Sequence, residues 1–533
     1  VVGAALRLTN LGFKSPASIE ISSMGFSLGN GFSNVPLDKL IDLNTLLSPL
    51  QFSQLTTIKD VVHNLITETN HPPLFFVITH FWLKLFSPTT ELDILWLIRL
   101  ESAILGMVSI AAIFILVWLS FRSPTFAQIA AALMAVSPYG IYLAQEARHY
   151  TLTILWIIAS LGFLVGALRS IEQRKKLPWL LVFPWIMVNT LGIITHDLFY
   201  LVLLAEGIIV GIIRLSLHHQ NNQSWRRLYI VIFSTFICCL LALIFLKSGS
   251  TPELTEWIDT NYDLARIWQP IPRLLAWLIT MIFLLPVEGT PLTITILSGV
   301  VLSLVLLWLA PILIKKLVSQ YRETPLFFGV FATFFLSTIV IFIFVIYIWG
   351  KDLSQAARYQ FVYFPCAIIL VAVALGGCWK SKGEKLVIAT LLLGLLGGLT
   401  VINNYGYQKS QRADLLAQHI LSSSPVPVII ASAYYTHAEL RSLIALGMEL
   451  KSLHKEKLAD KKFILISENV RQYDGNLLGL ETVLQTINRP LDLWTINLKL
   501  NEEKLQKLAC MRARNQPDIN GYRYRIYHCE AFS

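Results

Sequence analysis

Charged residues are scarce in this chain. Asp, Glu, Lys and Arg together make up 14% of its 533 residues, against about 25% in soluble proteins. With 55% hydrophobic residues and a mean hydropathy of +0.61, that deficit excludes an ordinary soluble enzyme, a disordered chain and a collagen-like one. Six cysteines do not make a disulfide scaffold, and none shows metal-ligand spacing. Cys238, Cys239, Cys366 and Cys378 lie in or beside apolar runs, where thiols act as small core residues. Cys510 and Cys529 fall in a polar region and can pair where the compartment is oxidising. There is no glycine-rich phosphate loop, so no nucleotide site is assigned. A fixed-period repeat and low-complexity tracts are also absent.

What is present in quantity is apolar sequence of membrane-spanning length. Long runs occupy residues 97–120, 126–145, 150–168, 178–195, 197–213, 228–247, 290–314, 326–349, 362–378 and 386–402, near the roughly 20 residues that cross a bilayer. The stub from Val1 to Leu6 reads as the remnant of a first transmembrane helix, or of a signal peptide. The runs 71–86 and 271–286 are shorter, and 71–86 contains His80, Trp82 and Lys84, which suits a helix at the interface. The fold class is therefore an all-α polytopic membrane protein of about eleven spans, with thirteen as the upper count.

The formal charge of +10 does not indicate nucleic acid. The excess gathers in short loops: Arg169/Arg174/Lys175/Lys176, Arg214/Arg226/Arg227, Lys315/Lys316/Arg322 and Lys380/Lys382/Lys385. All four fall on one side if 71–86 and 271–286 do not span, as expected for cytoplasmic loops. The 10–96 loop, the turns near 148 and 196, the 248–270 loop, the 350–361 turn and the tail then face outside. The expected location is the plasma (inner) membrane. After residue 402, apolar strands alternate with helical stretches: strands at 426–431, 463–466, 493–498 and 522–528, and a helix at 437–453. The expected domains are 1–402, membrane-embedded with the external loop 10–96, and 403–533, a small external α/β domain.

The outside-facing turns collect carboxylates, histidines and arginines from distant parts of the chain. Ionisable groups at the membrane are costly and mark function more often than not, although Arg and Tyr also anchor helix ends. Taken in order, Arg7-x-x-Asn10-Leu11-Gly12, His71-Pro72-Pro73-Leu74, Arg99-x-x-Ser102-Ala103, Ser137-Pro138, Gln145-Glu146-Ala147-Arg148-x-Tyr150 and Arg358-Tyr359 resemble glycosyltransferase family 39. That group of the GT-C fold includes protein O-mannosyltransferases and is related to lipid A aminoarabinose transferases. The resemblance covers residues 1–370 and leaves the C-terminal region outside it.

The resemblance implies a polyprenyl-phosphate sugar as donor and an envelope glycan, lipid or protein as acceptor, with inversion at the external membrane face. It implies a general base in an Asp-Glu pair that falls here on Ile19-Glu20, so isoleucine stands where the catalytic Asp is expected. Glu20 and His71 become the catalytic candidates, with Glu146 and Glu68 as other carboxylates for the base role. Arg7, Arg99, Gln145, Glu146, Arg148, Tyr150, His196, Arg358 and Tyr359 are the candidates for donor phosphate and sugar. No cofactor and no metal site is assigned; His196-Asp197 with Glu20 is a weaker set for a divalent cation. Two rivals remain: a non-catalytic homologue, supported by Ile19, and a transporter of polyprenyl-linked glycans, which midplane charges and inverted repeats would favour.

Overall fold

The computed structural model describes residues 1–216, 223–246, 252–260, 266–453, 460–467, 478–498, 500–513 and 516–531. They form two compact units. The first comprises Val1–Leu11, Asn70–Phe75 and Arg99–Gln408; the second comprises Gly12–Thr69, Phe76–Ile98 and Lys409–Ser533. This division does not follow the boundary at 402/403. It takes most of the 10–96 loop out of the membrane part and groups it with the tail.

The first unit is helical. Among the described residues seven helices are long and apolar enough to cross a membrane: Glu91–Phe121, whose first residues belong to the second unit, and Tyr150–Glu172, Phe199–Ser216, Trp225–Phe245, Leu292–Glu323, Pro325–Tyr347 and Glu384–Ile402. The predicted span 126–145 is a broken one, Pro124–Val136 and Pro138–Ala144, bent by 58°. Proline disfavours the helical conformation in the residue before it, and Ser137 duly leaves the helix with ψ at 119°. Its hydroxyl then caps the next turn by accepting from Gly140 N at 3.0 Å and donates to Met281 O at 2.6 Å. The break packs against Gly394, Gly397 and Gly398, where an added Cβ would run into Val136, Pro138 and Ile141. Predicted spans 178–195 and 362–378 are the shorter apolar helices Trp179–Ile193 and Phe364–Trp379. Pro178 stands at the N-cap of the first, and a 3-10 stretch, Ala357–Val362, precedes the second.

Basic residues mark one end of this unit. Arg169 donates to Ser120 O and lies over the Phe327 ring, Arg227 covers Trp179, Lys380 covers Phe126, and Lys316 donates to Ser381 Oγ. The turn holding Arg148 is at the other end of the 23-residue Tyr150–Glu172 helix, about 35 Å away at 1.5 Å per residue.

In the second unit, five strands have the order β2-β1-β3-β5-β4: β1 Val428–Tyr434, β2 Lys461–Ser467, β3 Leu491–Ile496, β4 Cys510–Arg512 and β5 Tyr524–Cys529. Both β2 and β3 run parallel to β1, whereas β5 is antiparallel to β3 and β4. The parallel strands β1 and β3 read as nearly continuous buried runs, as strands covered on both faces do. The early loop joins this sheet. Ile41 exchanges both backbone hydrogen bonds with Phe463 at 2.9 Å, and Asp38 N donates to Leu465 O. Helix Ser18–Ser27 packs on helix His437–Leu453, and at Gly447 a Cβ would press on Leu43 and Leu46.

Cys510 and Cys529 are bridged, across β4 and β5. Closing a loop of 19 residues contributes about 3 kcal/mol through the unfolded chain. Reduction is expected to lower the denaturant midpoint of the second unit, read by hydrogen exchange of the β3 and β5 amides. Unchanged protection after complete reduction would contradict this.

Candidate functional site

Residues from five stretches of the first unit converge at the end opposite the basic loops. Arg148 lies in the turn after Pro138–Ala144, and one Nη donates to Nε2 of His71 at 3.0 Å. A guanidinium can only donate, so this His71 nitrogen is unprotonated and the ring orients Arg148. His71 itself is placed by its neighbour Leu74, whose amide donates to Ile194 O. The rings continue from there. His149 lies 5.7 Å from His71 and 4.5 Å from His196 (ring centroids), and His196 lies 4.8 Å from Phe361 and 6.1 Å from Tyr150. Arg358 stands within electrostatic reach of Tyr150, Tyr359, Tyr142 and Glu146. Its guanidinium lies over both the Trp257 and Tyr359 rings. Tyr139 fixes that segment by donating to Ala357 O at 3.0 Å.

The electrostatics favour an anion. His196 Nδ1 accepts from Leu198 N at 3.0 Å. Burial, then the charges of Arg148 and Arg358, push its pKa down to about 3. His149 is also held well below its ordinary value, by burial first and then by His196, Arg148 and His71. The imidazoles are therefore neutral, and the fixed charges are the two guanidiniums and the buried carboxylate of Glu146. Among the described residues no three His, Cys, Asp or Glu side chains gather to hold a metal ion.

Other candidates have hydrogen-bond or ion-pair partners of their own. Arg7 gives its Nη groups to the carbonyls of Gly3, Ala135 and Met134, tying down the end of a helix where a cation is favourable. Arg99 donates to Leu11 O at 2.7 Å, and the Gln145 amide nitrogen to Thr9 O at 2.8 Å and Leu6 O at 3.2 Å. These three brace the scaffold beneath the cluster. Glu20 belongs to the second unit, where its fully buried carboxylate accepts from Ala17 N at 3.0 Å and pairs with Lys409 at 3.1 Å. Glu68 also belongs there and latches Phe32 N and Ser33 Oγ, both at 2.7 Å.

His149, Phe361 and Trp257 complete the cluster although the sequence reading left them out. His149 had a signal in its adjacency to Arg148. Trp257, on a separate loop, had none.

No protein-family model matches the sequence, and no curated protein does. Among solved structures, the chain is similar to ArnT from Cupriavidus metallidurans bound to undecaprenyl phosphate. The TM-score is 0.51 at 12% identity, over 99% of this chain and 95% of that one. The fold is GT-C. The same protein in the apo state gives a TM-score of 0.49 at 11% identity, again over 99% and 95%. The Archaeoglobus fulgidus oligosaccharyltransferase in complex with Zn and sulfate gives 0.48 at 12% identity, over 93% of this chain and 67% of that one. Within this GT-C chain the cationic cluster sits where turns from separate helices meet.

Buried neutral histidines make stability depend on pH. His196, and His437 in the second unit, are both lowered to about 3, His437 by burial and then by Arg441. Unfolded, each titrates near 6.5. Unfolding therefore takes up protons between these values, so the contribution is whole above 6.5 and is lost as pH falls towards 3. At pH 5 each group costs about 2 kcal/mol. The Tm should fall between pH 7 and pH 5, and His437→Gln should flatten the fall. A Tm independent of pH over that interval would contradict the assignment.

Proposed function

We propose that this chain is a membrane glycosyltransferase that moves a sugar from a polyprenyl-phosphate donor to an acceptor of the cell envelope. The observation that carries the reading is the convergence of Arg148 and Arg358 on one buried site. Paired guanidiniums suit phosphate oxygens. The similar ArnT structure holds undecaprenyl phosphate, a ligand of this class. The basic loops occupy the opposite end, and by the positive-inside rule this supports a reading in which the cluster works at the external face of the plasma membrane.

In the proposed reaction the acceptor hydroxyl oxygen attacks the anomeric carbon. The bond from that carbon to the phosphate oxygen breaks, its electron pair leaves with the lipid phosphate, and the configuration inverts. The hydroxyl proton passes to a carboxylate. Glu20 is held by the Ala17 amide and Lys409 and Glu68 by the 32–33 loop. Glu146 stands beside Arg358 and takes the base role. Arg148 and Arg358 neutralise the leaving phosphate, while His71 positions Arg148.

Arg148→Ala should lower kcat/KM for a polyprenyl-phosphate hexose roughly 10- to 150-fold, the equivalent of one charge-assisted contact of about 1.5–3 kcal/mol. Arg148→Lys should lose less, since it keeps the charge without the planar pair of donors. Normal turnover by folded Arg148→Ala protein would remove Arg148 from the site. A second reading, a non-catalytic homologue, draws on Ile19 and the engaged carboxylate of Glu20; it predicts no phosphate release from any donor.

A further inference from the structure

A polar seam crosses the apolar interior of the first unit, away from the cationic cluster. It joins Glu206 of Phe199–Ser216, Ser160 of Tyr150–Glu172, Trp185 and Asn189 of Trp179–Ile193, and Thr235 of Trp225–Phe245, all of them buried. Ser160, Glu206 and Thr235 stand well away from the ends of their helices. Along its helix Ser160 is about 15 Å from Tyr150, at 1.5 Å per residue. Its hydroxyl is the centre of the seam. Trp185 Nε1 donates to it at 3.0 Å, Asn189 Oδ1 lies 2.8 Å away and Glu206 Oε2 2.9 Å away. The Asn189 amide nitrogen in turn donates to Thr235 Oγ1 at 3.3 Å.

The donors and acceptors of this seam balance in one way. A hydroxyl has one proton and two acceptor positions, an indole only donates and an amide oxygen only accepts. The Ser160 proton therefore goes to Asn189, and Trp185 fills one acceptor position. Glu206 fills the other when its carboxyl carries a proton and donates it; a carboxylate there would set acceptor against acceptor. Turning the Asn189 amide would release the Ser160 proton, but an ionised Glu206 would still find one donor for about four lone-pair sites. Among the described residues its Oε1 has no hydrogen-bond partner, and no cation pairs with either oxygen. The titratable group acting on it is the Cys366 thiol of Phe364–Trp379. Pro325–Tyr347, which packs on Phe199–Ser216, holds no Asp, Glu, Lys, Arg or His. Arg358, on the 3-10 stretch that also meets this helix, is engaged with Tyr150, Tyr359, Tyr142 and Glu146. A carboxyl buried without a counter-charge is neutralised rather than left ionised.

We propose that Glu206 is an intramembrane proton site: it stays a carboxylic acid at neutral pH, and its proton closes the seam between the helices that lead to Tyr150 and to the His196 turn. The ligand is a proton rather than a metal ion, because the partners already stand at hydrogen-bond distance from Ser160. The site does not depend on the glycosyl-transfer reading. The test is the infrared difference spectrum of the full chain in lipid nanodiscs at pH 7, wild type minus Glu206→Gln. Glutamine is the reference because its amide donates to Ser160 as the acid does. A solvated glutamate, titrating near 4.3, is protonated in roughly one molecule in 500 at that pH. The expected spectrum shows instead the carbonyl stretch of a carboxylic acid in nearly every molecule, a population several hundred times larger. Ser160→Ala should shift that band, since the acid proton loses its acceptor. Carboxylate bands in place of the acid band, or an acid band unmoved by Ser160→Ala, would overturn the proposal, whether or not polyprenyl phosphate is released from any donor.

Discussion

Glu146→Gln is expected to reduce kcat by about 10²–10⁴-fold, the usual contribution of a positioned general base. Glutamine keeps the size and one acceptor oxygen of the side chain, which is buried at 3% exposure, but it cannot take up a proton. Removing a negative charge beside Arg358 also leaves more positive charge for the phosphate, so KM for the donor should stay level or fall. A loss confined to kcat would therefore separate a base from a packing residue, whose replacement would lower yield and thermal stability instead. Single-turnover release of polyprenyl phosphate measures it. Unchanged turnover by Glu146→Gln would return the base role to Glu20 or exclude it from this chain.

Lys409→Met should destabilise the second unit by about 3–5 kcal/mol, the range for breaking a buried ion pair from one side. Lys409 and Glu20 are 5% and 0% exposed and 3.1 Å apart, so the substitution leaves a carboxylate in the interior without this counter-charge. Replacing both partners, with Glu20→Leu added, should recover most of the loss, because a buried pair is often no more stable than apolar side chains of similar volume. Recovery should stop short by about 1 kcal/mol, since Glu20 also accepts from Ala17 N and so caps its helix. Hydrogen exchange in residues 18–27 and in β1 reads the effect. Equal protection in Lys409→Met and wild type would show that the pair contributes nothing.

The membrane helices were legible because spanning length and apolarity are local properties. Tyr150–Glu172, Pro325–Tyr347 and Glu384–Ile402 lie close to the runs read from the sequence. The tail was legible for the same reason: helix His437–Leu453 has the predicted bounds, and β1, β2, β3 and β5 overlap the predicted strands. The pairing of Ile41 with Phe463 joins residues more than four hundred positions apart, and no local pattern encodes it. In the same way, Arg7, Arg99 and Arg148 look alike as interfacial arginines. Only three-dimensional neighbours show that Arg7 grips the carbonyls at a helix end while Arg148 faces His71. The motif order led to the cluster, and the geometry sorted bracing residues from those around the charge.

The most direct measurement incubates the purified full chain in lipid discs with polyprenyl-phosphate hexoses and quantifies free polyprenyl phosphate over time, beside Arg148→Ala and Glu146→Gln. The expected result is time-dependent release by wild type from at least one donor, reduced roughly 10- to 150-fold in Arg148→Ala and by about 10²–10⁴-fold in Glu146→Gln. No release by folded wild-type protein from any donor, or equal release by all three proteins, would contradict the assignment of glycosyl transfer to this cluster.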